Sequence, residues 1–446
     1  MADIVFGKMQ SVKNIWLLLI NNKIVINYIR IILLPLPPIE IVDDYILEKR
    51  FTLLRRLKLL ITKDIKKNFK LKIFNMIKHI VINLLILTYL PIIFIFYLLR
   101  IKFLHINLFQ IGCIIHHLDY LVKENKLKNN YKLILFAPKL LTINSYIPYI
   151  YSKEVQVFKN FFLYLLAFPL IHSRITSLEA WNSENINSKS MCHQIHREYN
   201  KKFNTYICDL KKINDSIYKN FLFINKIESK IVSIHVRDDG FYGFKSYRSC
   251  EIDTYKKTIK DLLNKGFCVI RFVNNQSKKM HFNNKNYYEL TTLNENEKIL
   301  QYLIIKNSYF FITTLGGPMS FNFIMNVPFL MTNLIPLSIS GVTKKQDRFI
   351  LKKYYSHEKK NFLSLKQVFD QKIYLYPHLC ENFDISIIDN NEDEILSGTN
   401  EMIDNIENND YDVNKYQMGF LDELKDQYSI CYSDASICKN FNLFKR

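Results

Sequence analysis

His235, Arg237 and Asp238 fall within one short run, IHVRDDG, and Arg271 sits in a second, apolar run, FCVIRFV. A guanidinium carries five donors in a planar fork that matches paired phosphate oxygens, whereas an imidazole or a carboxylate can take a proton from a hydroxyl. Such a set could hold a phosphate-bearing ligand and activate a nucleophile beside it. Of 61 Lys and Arg only 12 are Arg, and three of these, Arg237, Arg248 and Arg271, lie between residues 230 and 274. Lysine is therefore background in this chain and arginine is not; three surface ion pairs are the competing reading. A second anion-binding feature is the run Thr314-Leu315-Gly316-Gly317-Pro318-Met319-Ser320. There a strand would lead through two glycines into a helix start, with its unpaired N–H groups and positive dipole end.

The flanking sequence has to position these groups. Residues 231–236 alternate as a strand does, and Asp238, Asp239 and Gly240 break it. Residues 252–263 place apolar side chains at helical spacing until Lys265-Gly266, and 267–273 form another strand. Strand, helix, strand predicts a parallel βαβ unit, and parallel sheets bind ligands where their strands end. His235, Arg237 and Asp238 stand at one such end and Arg271 near the next. Further strands are expected at 287–290, 309–313 and 328–333, with helices over 297–306 and from Phe321 onward. Upstream, residues 103–112 read as a strand ending on Gly112, one of only 10 glycines, followed by a helix at 114–123 and a strand at 132–137. A glycine after an opening strand lets the backbone approach a ligand or a facing domain. His116 and His117 could touch a substrate there, packing or solvation being the simpler reading.

A chain of 446 residues can hold two ordinary domains plus appendages, and 49% hydrophobic with 23% charged residues excludes a disordered polymer. The net charge of +20 points to an anionic partner. Residues 381–426 carry a net −12, which leaves about +32 in the remainder. Eight cysteines without paired spacing predict reduced thiols, and Cys192, His193 and His196 complete no four-ligand set, so no metal is expected. Asp410-Tyr411-Asp412 lies in an Asn/Asp-rich stretch where such triplets arise by chance. GxGxxG and GxxxxGK[ST] are absent, which argues against a dinucleotide fold and a P-loop kinase. The aromatics sit in core-like runs instead of alternating with basic residues, so nucleic acid is not an expected partner.

The first hundred residues have a different character. Residues 15–34 are apolar but interrupted by Lys23 and Arg30, and no small-residue cleavage site follows, so no secretory signal is expected. Residues 55–78 carry nine basic side chains against Asp64 alone, and 79–99 carry no formal charge. The latter length matches the roughly 20 residues a membrane helix needs, and Pro91 predicts a kink or a re-entrant hairpin. Membrane association, with this segment dipping into the inner leaflet, is the expectation; a buried core helix competes with it.

The run IHVRDDGFYG, then SYR, then IDTYKKTIKDLLNKGFCVIR resembles a family of bacterial glycosyltransferases, which carries HVRD-G, YRN, I-TY and G-VIRMG motifs and is distantly similar to fucosyltransferases with their H-x-R motif. Phe109 to Gly112 is similar to that family's RIGH, residues 310–317 with Pro328 and Asn333 to its FFIG-SSG and P-TN region, and residues 390–402 to its closing helix. Gln110, Cys113, Ser249, Phe272-Val273 and Glu289 depart from the pattern, while His235, Arg237, Asp238, Tyr255 and Arg271 keep it.

The resemblance implies an α/β, GT-B-like chain: a membrane-associated apolar segment (1–102), two facing Rossmann-like domains for acceptor (103–225) and nucleotide-sugar (226–380), and an acidic tail (381–446). It implies transfer of a sugar from a nucleotide-sugar donor to a glycan or lipid-linked acceptor, without a cofactor, on the cytoplasmic side of a membrane. The catalytic residues would be Asp238 as base, with Asp239 in reserve, His235 and Arg237. Donor-binding residues would be Arg237, Tyr255, Thr314, Gly316, Gly317, Ser320 and Asn333, with Arg271 as a second clamp or an orienting partner. Gly112 would face the acceptor. A CDP-polyol-type phosphotransferase of the same architecture and a non-catalytic, basic membrane scaffold are the alternatives.

Overall fold

A computed structural model of the chain describes residue 80 and residues 82–439, apart from 109, 145, 180–186, 204–206, 209–214, 239–245, 275, 293, 336–340, 372, 374–379, 381–382 and 425–433. Residues 1–79, and with them the basic stretch, lie outside the described residues, as do Asp239 and Gly240. The chain divides into two compact units, Met1–Thr88 and Tyr89–Arg446. In the first, residues 82–88 are helical.

The second unit opens with α1 (Leu90–Leu98), which has Pro91 in its first turn, where the missing N–H costs no hydrogen bond. The uncharged segment is thus divided near Tyr89, and no helix among the described residues is long and apolar enough to cross a membrane. β1 (Ile101–His105), α2 (Ile111–Glu124), β2 (Lys132–Phe136), β3 (Val155–Phe158), α3 (Phe161–His172) and β4 (Ser177–Glu179) then build a parallel sheet of order β3-β2-β1-β4. α4 (Asn187–Phe203) and α5 (Ser216–Asn225) lead on to a second sheet.

The second sheet starts at its centre with β5 (Ile231–His235) and runs outward through α6 (Lys256–Asn264), β6 (Cys268–Val273) and β7 (Tyr287–Thr291). It returns through α7 (Glu295–Lys306) to β8 (Phe310–Thr313), β9 (Phe329–Leu334) and β10 (Arg348–Leu351). With β14 (Ser436–Ile437) at one edge, the order is β14-β10-β9-β8-β5-β6-β7, parallel throughout. This is doubly wound, and its direction reverses between β5 and β8. β5, β8 and β9 are buried along their whole length, which is why they read as continuous apolar runs. Ser233, the polar residue inside β5, accepts a hydrogen bond from the Ser308 hydroxyl at 2.8 Å.

The helices follow local chemistry. α6 buries Thr258, Ile259, Leu262 and Leu263 and ends at Gly266, whose φ of 84° lets Gly266 N–H reach Leu263 O and Phe267 N–H reach Leu262 O. α7 begins with a reciprocal box between Asn294 and Glu297. A small antiparallel sheet, β11 (Lys353–Ser356), β12 (Asn361–Phe362) and β13 (Ile385–Ile388), and α8 (Leu365–Asp370) come next. The acidic stretch forms α9 (Glu392–Glu407), packed on α6 and β10, then α10 (Lys415–Leu424) and the edge strand β14. Buried Arg348 holds it there, donating from Nε to Glu401 Oε1 at 3.0 Å and from Nη2 to Tyr411 O at 3.1 Å.

Two expectations are corrected. The strand expected over 103–112 stops at His105, and Gly112 lies in the first turn of α2, whose first bond runs from Ile114 N–H to Gln110 O at 3.0 Å. The helix expected beyond Gly317 is a seven-residue 3-10 helix, Gly317–Phe323, because Pro318 has no N–H and Met319 N–H turns back to Gly316 O at 3.2 Å. A helix this short and tight lacks the dipole that an anion site at its start would use.

Candidate functional site

In open α/β sheets ligands bind at the carboxyl ends of the strands beside the point where strand order reverses, which here lies between β5 and β8. His235 is the last residue of β5 and pairs in register with Thr313. Past the strands the two chains stay stitched together: Thr314 N–H donates to His235 O at 3.1 Å, and Arg237 N–H donates to Thr314 Oγ1 at 2.9 Å. Cys250 N–H closes the far side of the Arg237 loop on Arg237 O at 3.0 Å. On that segment the Arg248 guanidinium lies 5.5 Å from the centre of the Tyr247 ring.

Glycines bring the two sheets together here. A Cβ on Gly316 would lie 3.2 Å from His235 Cε1, and one on Gly317 would lie 2.5 Å from Ile111 Cγ2. A Cβ on Gly112 would meet Gly317 Cα at 3.1 Å and Ser320 Oγ at 3.4 Å. The start of α2 therefore rests against the 3-10 helix after β8 in direct backbone contact. Gly112, His235, Arg237, Asp238, Thr314, Gly316, Gly317 and Ser320 converge on this one place. His235 is buried there; burial, then the charges of Arg237 and Arg271, bring its pKa down from 6.5 to about 4. The imidazole is therefore neutral at physiological pH.

Arg271 does something other than clamp a ligand. Its side chain is fully buried, Nη1 donates to Glu289 Oε1 at 2.7 Å and to Lys278 O at 2.8 Å, and Nη2 donates to Asp238 Oδ2 at 3.3 Å. Asp238, itself buried, also accepts from Ser277 Oγ at 3.3 Å and from Lys278 N–H at 3.2 Å. The guanidinium is enclosed between two carboxylates and a carbonyl, so a diphosphate finds no edge of it to bind. Of the two roles expected of Arg271, the orienting one fits this geometry. Asp238, expected as the base, is the anchor of the 277–278 turn.

Tyr255 and Asn333, expected to bind the donor, lie in the core. Tyr255 is wholly buried, with its hydroxyl 2.6 Å from Thr332 Oγ1 and 3.0 Å from Asn333 Nδ2. Asn333, in the left-handed region at φ 52°, exchanges two bonds with Asn390: Asn333 N–H to Asn390 Oδ1 at 2.6 Å and Asn390 N–H to Asn333 Oδ1 at 2.7 Å. Asn390 Nδ2 donates onward to Leu351 O at 2.7 Å. The network ties the end of β9 to the start of α9, and its side-chain groups are satisfied inside the core, leaving none for a donor.

Sequence reasoning missed the supports of this site. Ser277 and Lys278 hold Asp238, and Glu289 holds Arg271. Buried Lys352 donates to Ser249 O and Asp389 Oδ1, both at 2.6 Å, securing the loop's far end. Beneath α2, Lys123 Nζ sits 2.6 Å from Asp119 Oδ2 and 2.7 Å from His196 Nδ1. The i,i+4 spacing of Asp119 and Lys123 was the available signal for that pair. His116, a possible substrate contact, packs its ring 4.8 Å from Phe323 in the 3-10 helix. A surface cavity of 720 Å³ lined by Lys230, Lys265, Gly266, Phe267, Asn400 and Glu407 lies at the opposite, amino-terminal ends of β5 and β6 and gathers none of the site residues.

No family model and no curated protein sequence matches the chain. Among solved structures it is similar to the dodecameric iron-containing heptosyltransferase TibC in complex with ADP-D-β-D-heptose, at 9% identity and a TM-score of 0.30, over 52% of this chain and 57% of that one. It is also similar to the iron-containing dodecameric glycosyltransferase TibC from enterotoxigenic E. coli H10407, at 10% identity and a TM-score of 0.31, over 53% and 58%. The chain thus spans a little over half the length of the structures it matches. An overlap at this TM-score carries no argument about activity.

Proposed function

We propose that the chain is a glycosyltransferase of GT-B type, moving a sugar from a nucleotide-sugar donor to a glycan or lipid-linked acceptor. The observation that carries this is the reversal point of a doubly wound sheet at which His235, Arg237, Thr314 and Gly316 meet, with Gly112 at the start of α2 packed against Gly317. In this reading Arg237 faces the donor diphosphate, and neutral His235 takes the proton of the acceptor hydroxyl. The acceptor oxygen bonds the anomeric carbon while the carbon–oxygen bond to the diphosphate breaks. Its electron pair leaves with the diphosphate, whose growing charge Arg237 offsets. Arg271 acts through Asp238, fixing the loop that carries Arg237. Because donors of this kind are made in the cytosol, the site belongs on the cytoplasmic side.

Thermal-shift titration of the full chain with UDP, GDP, CDP and CMP tests the reading. One nucleoside diphosphate should raise Tm, since ligand at a hundred times Kd stabilises by about 2.7 kcal/mol. Arg237→Ala should abolish the shift with the circular dichroism spectrum intact. No response to any diphosphate, or an undiminished response in Arg237→Ala, would refute it, and a preference for CMP would favour the phosphotransferase.

A further inference from the structure

We infer that α1 and α3 together form a monotopic docking face for an anionic lipid bilayer. The two helices lie on the same side of the first sheet. Phe96 of α1 meets Phe103 of β1 edge-on at 5.1 Å, Phe103 stacks on Phe136 of β2 at 6.2 Å, and Phe136 on Phe158 of β3 at 5.3 Å. On α3, His172 packs against His105 of β1 at 4.5 Å. Leu104, Leu133 and Leu135 face the other way, into the main core. The inward sides of α1 and α3 are accounted for by Ile93, Ala167, Leu170 and Ile171, all buried.

Their outward sides are just as apolar. α1 reads LPIIFIFYL and α3 reads FFLYLLAFPLIH. Phe94, Ile95 and Leu98 on α1 and Phe162, Leu165 and Leu166 on α3 are between 49% and 75% exposed. The contrast with α6 is plain, where Lys256, Lys257 and Lys260 face outward. A helix apolar on all sides needs an apolar environment on all sides. With 9 and 12 residues, neither helix can span the roughly 20-residue thickness of a bilayer, so the environment that fits is one leaflet approached from the side.

Charge selects the lipid. Arg100 and Lys102 follow α1, and Lys159 and Arg174 bracket α3; of these Arg100, Lys159 and Arg174 are exposed. No acidic residue occurs over 80–118 or 155–178, and the nine basic residues of 55–78 precede α1 in the chain. An apolar face flanked along the chain by these cations matches an anionic headgroup layer. The inference stands apart from the transferase reading, since it involves neither Arg237 nor His235.

The test is co-sedimentation of the full chain with vesicles of three parts phosphatidylcholine to one part phosphatidylglycerol. Wild type should partition to these vesicles, and less to pure phosphatidylcholine. The pair Phe162→Glu, Leu166→Glu, and separately Phe94→Glu, Leu98→Glu, should each lower the partition coefficient by more than about tenfold, as expected when side chains of this size stop being buried. Phe223→Glu, at an 84% exposed site on α5, should leave it unchanged. Retention of the nucleotide thermal shift in the helix variants would separate this outcome from any failure of the transferase reading. Partitioning unaffected by both pairs overturns the proposal. So does a vesicle-independent dimer that Leu166→Glu dissolves, which would make a second copy the occupant. A drop in Tm without loss of partitioning also overturns it, placing the chain's own residues 1–79 on the face.

Discussion

The carboxyl ends of β5 and β6 lie side by side in one sheet and each presents an arginine, yet the two sites have opposite characters. At the end of β5, Arg237 is stitched by its backbone to Thr314 and Cys250 beside the point where strand order reverses. Arg271 on β6 is sealed between Glu289 and Asp238. A strand next to the reversal opens onto a crevice because its two neighbours lead their chains away in opposite directions. One strand further out, Glu289 of β7 and Asp238 close around Arg271. Both side chains are buried, yet topology sets Arg237 beside the reversal and Arg271 one strand further out, among carboxylates.

The sharpest way to break this comparison is Arg271→Met. If Arg271 is structural, the substitution leaves buried Asp238 and half-buried Glu289 without their cation and should cost about 3–5 kcal/mol in urea unfolding. A loss below about 1 kcal/mol would mean that Arg271 is a ligand group after all. The next effect is in pH. The folded protein protonates His235 only near pH 4, the unfolded chain near 6.5. Stability from this group is therefore complete above pH 6.5 and should decline by roughly 3 kcal/mol as the pH falls through about 4. His235→Phe should remove that part of the acid slope, measured as the difference between the two proteins' ΔG–pH curves. A smaller effect is expected at the seam between the sheets. Gly317→Ala drives a methyl to 2.5 Å from Ile111 Cγ2 and should cost about 1–3 kcal/mol. Adding Ile111→Ala should recover part of the loss, and strictly additive costs in a double-mutant cycle would show that this contact does not join the sheets.

Much of the second sheet was legible in advance because parallel strands buried on both faces must be apolar, and helices that pack on them must repeat every three to four residues. β5, β6, β7, β8 and α7 fall within two residues of where periodicity put them. Gly266 and the Asn391 cap mark helix ends that local hydrogen bonding dictates. What the sequence did not reveal lies where distant partners decide. Tyr255 and Asn333 have the residue types of a binding site, but their partners, Thr332 and Asn390, saturate them in the core. Nothing near Arg271 in the chain announces that Glu289 and Asp238 close around it. The edge strand β14 took its place through pairing with β10, some ninety residues earlier.

Composition and spacing alone determined that this is a folded α/β chain with a parallel sheet and a concentration of arginine near two strand ends, since those follow from period, burial and residue type. Which arginine stands beside the reversal, which carboxylate is already engaged and which glycines let the two sheets touch depended on strand order. Strand order is set by contacts between residues far apart in the chain, and no local pattern encodes them.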